Sequence, residues 1–448
     1  MRYKTLNQFP EINYHFWEEK HSSFISAMKL EKFTYSMIGF IIVGIAGFTL
    51  MSMMSLSIMQ KIRQIGILGA MGMQSINISY IFIFQAISTS IFSSTIGIGI
   101  SLFIISRKKL NSRLKCGIIG YGYMGEIRRR MVEQHNNTEL SVVCETNSEK
   151  LADDQDFKVV RDPVEVLESD VDAVFICTPN YLIPELTIQC LKRGKHVFSE
   201  KPPGRTLNDI VQIQAAEKNN PDIKLMFGFN HRYHPGVLRA KSIIDSGRLG
   251  KIIVLRGLYG KSGGKNFPKS WRNDFNISGG GILLDQGIHM LDLFNCFIGN
   301  FTSVKSFLSN NHWGFDVEDN AVVILKNDKD QLAMLHSSTT FWKHMFQLNV
   351  ILEEGYLKLE GLLSKTGSYG RETLVIGRRQ FEDEAEAVGN PSEETIYFDN
   401  DLSWELEVNR FIDCILNDKP VLESNSTDAY NAMELVHRCY QDSDFEVK

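Results

Sequence analysis

Cys116-Gly117-Ile118-Ile119-Gly120-Tyr121-Gly122-Tyr123-Met124-Gly125 is the stretch that decides the fold of most of this chain. The apolar run from Leu114 to Ile119 predicts a buried strand, and residues from about Glu126 to His135 predict a helix. Between them Gly120, Gly122 and Gly125 spell G-x-G-x-x-G. In that pattern the glycines serve a tight turn, close backbone approach to a pyrophosphate and close helix-on-strand packing. The helix start behind them offers free N–H groups and a positive dipole end to phosphate. A second strand from Leu140 to Cys144 ends in Glu145, about 20 residues past the last glycine. A carboxylate there would hold the ribose hydroxyls of NAD and repel the 2′-phosphate of NADP. The expectation is a dinucleotide-binding α/β fold that takes NAD in preference to NADP.

The 448 residues leave room for two or three domains. A net charge of -5 gives no electrostatic footprint for nucleic acid. The seven cysteines are scattered without a C-x-x-C pair and read as small buried hydrophobes in a reducing compartment. His231, His234 and His289 lack partners at zinc-ligand spacing, so no metal is expected.

Composition changes sharply along the chain. From about Thr34 to Gln60, and again from about Ile78 to Ser106, there is no charged residue. Both runs exceed the roughly 20 residues that cross a bilayer, which predicts transmembrane helices over about 34–59 and 78–106. Between them lies Lys61-Ile62-Arg63-Gln64-Ile65-Gly66-Ile67-Leu68-Gly69-Ala70-Met71-Gly72. This segment, with Leu30-Glu31-Lys32 before it, resembles the permease subunits of lipoprotein-exporting ABC transporters. The likeness covers about residues 1–106 and is partial: the family's first span, large periplasmic domain and last span have no counterpart. It implies a cytoplasmic loop at Lys61 to Gly72. Arg107, Lys108, Lys109, Arg113 and Lys115 argue the other way, placing the residues downstream of them on the cytoplasmic side. The expectation is a membrane-attached chain whose enzyme part is cytoplasmic, or a cytoplasmic enzyme if the segment does not function.

Beyond Leu110 the strand–helix rhythm continues. Val171 to Cys177, Lys195 to Ser199 and Lys224 to Phe229 predict strands, and Glu185 to Arg193 and Leu207 to Lys218 predict helices. Alternation of this kind implies a parallel doubly wound sheet. After about His231 strands succeed one another: Ile252 to Leu258, Ala321 to Leu325, Gln331 to Ser337, Gln347 to Leu352 and Tyr356 to Leu359. They predict an open, mostly antiparallel sheet with one face available for an interface. The domain reading is a membrane segment over 1–109, a Rossmann domain over 110–230 and a substrate and oligomerisation domain over 231–448.

Three patterns converge on chemistry. Thr178-Pro179-Asn180 and Glu200-Lys201-Pro202 each close a strand at the carboxyl edge, where open α/β sheets bind ligands. Asp285 and His289 stand one helical turn apart in Gly279-Gly280-Gly281-Ile282-Leu283-Leu284-Asp285-Gln286-Gly287-Ile288-His289. With Gly228-Phe229-Asn230-His231-Arg232-Tyr233-His234-Pro235, these motifs resemble the Gfo/Idh/MocA oxidoreductases from about Arg113 to the C-terminus. The resemblance implies hydride exchange between a nicotinamide and a secondary alcohol of a sugar, sugar derivative or polyol, usually in a homo-oligomer. It assigns the catalytic lysine to Lys201 and the D-x-x-x-H pair to Asp285 and His289.

Roles come from side-chain chemistry. His289 titrates near neutrality and suits the base; Lys201 can stabilise alkoxide charge on the same oxygen. Asp285 can orient either partner or grip a substrate hydroxyl. Gly120, Gly122, Tyr123, Met124, Glu145, Thr178, Pro179, Asn180, Glu200 and Lys201 are the expected cofactor contacts. Arg232, His231, Tyr259, Trp271 and Arg272 are expected to line the substrate pocket, and the glycine run to keep it uncrowded. Ile183 stands where many members carry histidine, so the substrate pocket departs from the commonest one. The Ser278 to Leu291 motif resembles members that modify sugars for surface glycans. A different class is also open: an NAD-binding sensor or passenger domain joined to a permease fragment, without turnover.

Overall fold

The computed structural model describes residues 59–111, 113–147, 156–380 and 391–445, together with 48, 51, 52, 55 and 56. They fall into two units, one ending at Asn111 and the other running from Ser112 onward.

In the first unit, helix α1 (Ser75–Asn111) spans the second uncharged run. The expectation of two transmembrane helices is not met. The 34–59 run lies mostly outside the described residues, and among those described no helix is long and apolar enough to cross a membrane. In α1 the apolar residues are interleaved with Gln85, Ser88, Thr89, Ser93, Ser94 and Thr95. Ser88 Oγ and Thr95 Oγ1 donate to the carbonyls one turn back, at 2.8 and 2.5 Å, the usual way a hydroxyl is satisfied in a helix.

The second unit begins with six strands: β1 (Leu114–Ile119), β2 (Thr138–Cys144), β3 (Lys158–Val160), β4 (Ala173–Ile176), β5 (His196–Ser199) and β6 (Leu225–Phe227). They form a wholly parallel sheet in the order β3-β2-β1-β4-β5-β6. That is the Rossmann order, with its switch point between β1 and β4. Apolar runs such as Ala173-Val174-Phe175-Ile176, buried at every position, are what a strand covered on both faces requires. The helices between them are α2 (Tyr123–Gln134), α3 (Pro163–Glu168), α4 (Ile183–Lys192) and α5 (Leu207–Lys218). The last starts on a capping box between Thr206 and Asp209, which satisfies two otherwise orphaned N–H groups.

Two helices, α6 (Pro235–Asp245) and α7 (Phe275–Ser278), flank the first strand of a second sheet, β7 (Ile252–Gly260). Its other strands are β8 (Ser303–Ser309), β9 (Asn320–Lys326), β10 (Leu332–Ser338), β11 (Met345–Leu352), β12 (Gly355–Glu360), β13 (Glu372–Arg378) and β14 (Glu393–Phe398). Their order is β14-β13-β12-β11-β7-β10-β9-β8. All pairings are antiparallel except β7 with β10. One face packs on helices α8 (Ile288–Ile298) and α10 (Ser426–Asp442). The other leaves Ile324, Met334, Ile351 and Phe307 exposed, so the open face expected from strand alternation is present. Strands β8, β13 and β14 went unanticipated. Polar residues alternate through β8, and β14 is an edge strand with only partial burial.

Helix α9 (Ser403–Leu416) returns to the first sheet. Its Phe411 ring lies 5.8 Å from Phe175 and 5.5 Å from Phe198, and Val408 and Ile412 join the same buried cluster. Rossmann packing therefore draws on sequence far beyond residue 230.

Candidate active site

The carboxyl edge of the parallel sheet carries the expected motifs. Gly120 closes β1 at φ 91°, a conformation that disfavours any side chain, and a Cβ there would lie 2.7 Å from the Cys177 carbonyl oxygen. A Cβ on Gly125 would collide with the Gly120 carbonyl. Gly122, in contrast, faces open space, and α2 behind it has no side-chain cap. Its first N–H groups are thus left for an anionic ligand. Tyr123 is exposed and Met124 half-buried above that opening.

Glu145 caps this loop from the neighbouring strand. Its carboxylate accepts from the Tyr121 N–H at 2.9 Å and the Asn147 N–H at 2.8 Å, which fixes it at the end of β2. Thr178, Pro179 and Asn180 come directly after β4. The Thr178 hydroxyl is buried with no partner among the described residues, while Asn180 donates to the Ser278 carbonyl at 2.7 Å. That bond ties the Rossmann edge to the segment carrying Asp285. An uncapped helix start, an open glycine and an orphaned hydroxyl on one sheet edge fit a dinucleotide.

Glu200 turns away from that edge. It pairs with Arg128, which also meets Glu407 at 2.8 Å, and Arg128 and Glu407 are fully buried. Burial pushes the Glu407 carboxyl up to about 8 against the opposing pull of Arg128. Glu200 is better described as an anchor between α2, β5 and α9 than as a cofactor contact.

Lys201 points the other way. Its Nζ donates to the Asp285 carbonyl at 2.5 Å and lies 3.5 Å from Asp285 Oδ1. Asp285 is surrounded by cations: Lys261 Nζ is 2.7 Å from Oδ2 and Arg272 Nε is 3.2 Å from Oδ1. Gln286 Nε2 donates to Oδ2 at 3.1 Å. Burial alone would raise this carboxyl, but Lys261, Lys201 and Arg272 together hold it well below the usual range. Burial lowers the Lys201 ammonium, with Asp285 opposing.

Asp285 and His289 do not sit on one regular helical face. Leu283–Gly287 is a π-helical turn that leads into α8, and π-turns of this kind recur at functional sites. Asp285 is drawn into the cation cluster, whereas His289 is buried against His231, with ring centroids 3.8 Å apart. Asp285 thus orients Lys201 rather than the imidazole. Burial, then His231 and Lys201, hold His289 well below the usual histidine range. Tyr259 packs beneath both imidazoles, 5.1 Å from His231 and 6.2 Å from His289.

Other expectations separate cleanly. Arg272 reaches the site and lies over the Trp271 ring at 4.5 Å. Arg232 does not line a pocket: its guanidinium is consumed by Asp292, at 2.7 and 2.6 Å, and by Asp428 at 3.0 Å. The glycine run serves packing rather than open space, since a Cβ on Gly280 would strike Tyr440 and one on Gly281 the Glu318 carbonyl. Lys261 and Gln286 were not anticipated as site residues, and His231 was expected only as pocket lining. Lys261 lies just past the end of β7 and Gln286 directly follows Asp285, so both signals were available.

Residues 114–229 match the oxidoreductase family with an NAD-binding Rossmann fold, and residues 237–358 match the GFO/IDH/MocA C-terminal domain. Residues 36–115 match the FtsX-like permease C-terminal domain. Among similar proteins is levoglucosan dehydrogenase of Pseudarthrobacter phenanthrenivorans, 31% identical over 216 residues, 44% of this chain and 54% of that protein. Another is myo-inositol 2-dehydrogenase of Thermotoga maritima, 28% identical over 237 residues, 50% of this chain and 68% of that protein. A levoglucosan dehydrogenase structure in complex with NADH superposes with TM-score 0.64 at 22% identity, covering 75% of this chain and all of that one. From residue 114 onward the chain belongs to the GFO/IDH/MocA oxidoreductase family, with an NAD-binding Rossmann domain, behind an FtsX-like permease segment.

Proposed function

We propose that this protein is an NAD-dependent dehydrogenase that exchanges hydride with a secondary alcohol of a sugar, sugar derivative or polyol. The observation that carries this reading is Lys201, held by Asp285 at the carboxyl edge of the Rossmann sheet beside a buried, neutral His289. Gly120, Gly122, Tyr123 and Met124 would hold the pyrophosphate, Glu145 the adenosine ribose, and Thr178 to Asn180 the approach to the nicotinamide. A bound nicotinamide supplies the hydride acceptor in oxidation and the donor in reduction.

The chain's own groups handle the proton. A neutral imidazole can take the hydroxyl proton as the C–H bond breaks. The Lys201 ammonium donates a hydrogen bond to the oxygen and stabilises the charge that develops there. Asp285 keeps that ammonium aimed. Relatives named for levoglucosan and inositol support the substrate class, and a role in surface-glycan modification is the finer form of the proposal. The charged cluster around Asp285 favours turnover over a sensor role.

The permease-like segment is read as a membrane attachment that leaves the enzyme cytoplasmic. The open sheet face, with Phe307 78% exposed, is read as the contact of a homo-oligomer. A panel of sugars, polyols and their acids, followed at the NADH absorbance band with the full-length protein, tests the reaction. No NAD reduction and no NADH oxidation across that panel would overturn it.

A further inference from the structure

Three cations converge on one carboxylate at Asp285, more than orienting Lys201 requires. Lys261 and Arg272 come from the segment after β7, and their side chains are 26% and 41% exposed, so both meet solvent as well as Asp285. Among the described residues Arg272 makes one side-chain hydrogen bond, from Nε to Asp285 Oδ1. Its two Nη groups are unspent, and the guanidinium lies over Trp271. A stacked guanidinium with two parallel free donors is a bidentate fork for a carboxylate or phosphate.

The carboxylates nearby do not offer themselves to these cations. Arg272 and Asp285 line one recess with Glu318 and Asp319, yet both acids face backbone amides. Glu318 accepts from Gly281 and Leu283 N–H, each at 2.9 Å, and Asp319 accepts from His312 N–H at 2.8 Å. Burial pushes Glu318 up to about 7, which reduces its charge further. Positive charge beside the reacting position is therefore incompletely matched.

Resting on the dehydrogenase reading, we infer that the substrate is an anionic sugar, with its carboxylate or phosphate held by Arg272 and Lys261. Arg272 Nε and Lys201 Nζ share Asp285 Oδ1, so an anion on the fork and a hydroxyl on Lys201 fall within reach of one monosaccharide. Uronic acids and sugar phosphates present the same chemistry to the fork.

The test uses the full-length protein saturated with NADH. Glucose, galactose and mannose are titrated beside their uronates and 6-phosphates, with cofactor fluorescence as the readout. At least one anion should bind about tenfold or more tightly than its neutral parent, the scale of one charge-assisted fork. Raised salt should shrink that gap. Whether the uronate or the phosphate wins identifies the group. Arg272→Met should abolish the preference with NADH affinity intact, and Arg272→Lys, which keeps charge but not the fork, should restore only part of it. Equal or tighter binding of the neutral sugars, no binding of any anion, or an unchanged preference in Arg272→Met overturns the inference. Failure to bind NADH would instead bring down the dehydrogenase reading.

Discussion

His231 and His289 lie face to face, ring centroids 3.8 Å apart and planes tilted by only 26°. Two imidazoles so placed cannot both be charged. Burial, then His234 and Lys201, hold His231 well below the usual range, and burial, then His231 and Lys201, do the same for His289. Both folded values lie below the unfolded value of about 6.5. Stability from the neutral pair is therefore full above that pH and is lost as pH falls toward the depressed folded values. The melting temperature should fall more steeply below pH 6.5 in the natural protein than in His231→Phe, which keeps a stacked ring. Parallel melting curves would show that the pair does not govern the acid limb.

The same shifts set the shape of the activity profile. His289 must be neutral to accept a proton and Lys201 charged to donate a hydrogen bond. The acid limb of kcat should lie below the ordinary histidine range, and the alkaline limb below the usual lysine value, because burial lowers Lys201. An acid limb at or above the ordinary histidine pKa would remove His289 from the role.

His289→Ala should reduce turnover by about 10²–10⁴, the worth of a positioned general base, and Lys201→Met should also be severe. NADH binding should survive both. Full activity in His289→Ala, measured at the NADH absorbance band, would leave the imidazole a packing partner of His231.

Cofactor choice is expected to rest on Glu145. Its carboxylate is pinned by the Tyr121 and Asn147 amides, so it cannot swing clear of a 2′-phosphate. Glu145→Ser should narrow the gap between NAD and NADP in kcat/KM. A clear preference for NADP in the natural protein would refute the assignment.

Much of this was legible because it is local. The glycine fingerprint, Thr178 to Asn180, Glu200-Lys201 and Asp285…His289 are short patterns whose spacing survives without tertiary knowledge. The illegible part is assembled across the fold. Lys261 reaches Asp285 only because β7 delivers it there, and His231 meets His289 only when the short 3₁₀ turn after β6 packs on α8. Arg232 and Glu200 misled for the opposite reason: beside a site in sequence, they are turned inward and consumed by Asp292, Asp428 and Arg128. No local pattern tells an inward arginine from an outward one.

The Arg128 triad gives a stability prediction. Arg128 is fully buried between Glu200 and Glu407, with Phe198 under its guanidinium at 4.4 Å. Arg128→Leu strands two buried carboxylates and should cost about 3–5 kcal/mol, the usual penalty for breaking a buried pair. Glu407→Gln should cost far less. Because the folded Glu407 value is about 8 and the unfolded one about 4.3, stability is full below the lower value and is lost as pH rises toward the upper. Glu407→Gln should flatten that slope in urea melts taken from pH 5 to 9. An unchanged slope would mean that the carboxyl is ionised in the folded protein throughout.

The membrane question turns on the segment before β1. Residues 36–115 match an FtsX-like permease domain; if that likeness extended to topology, Lys61 to Gly72 would be a cytoplasmic loop and a further span would deliver the Rossmann domain outside. Charge opposes that: Arg107, Lys108, Lys109, Arg113 and Lys115 cluster where the enzyme begins, and positive residues stay on the cytoplasmic side. The expected outcome is that the full chain sediments with membranes, with its Rossmann domain protected from protease in intact cells. A chain beginning at Leu110 should be soluble and equally active, because the strands and helices of the second unit all lie beyond that residue. Digestion of the Rossmann domain from outside would mean that the permease topology had won over the charge rule.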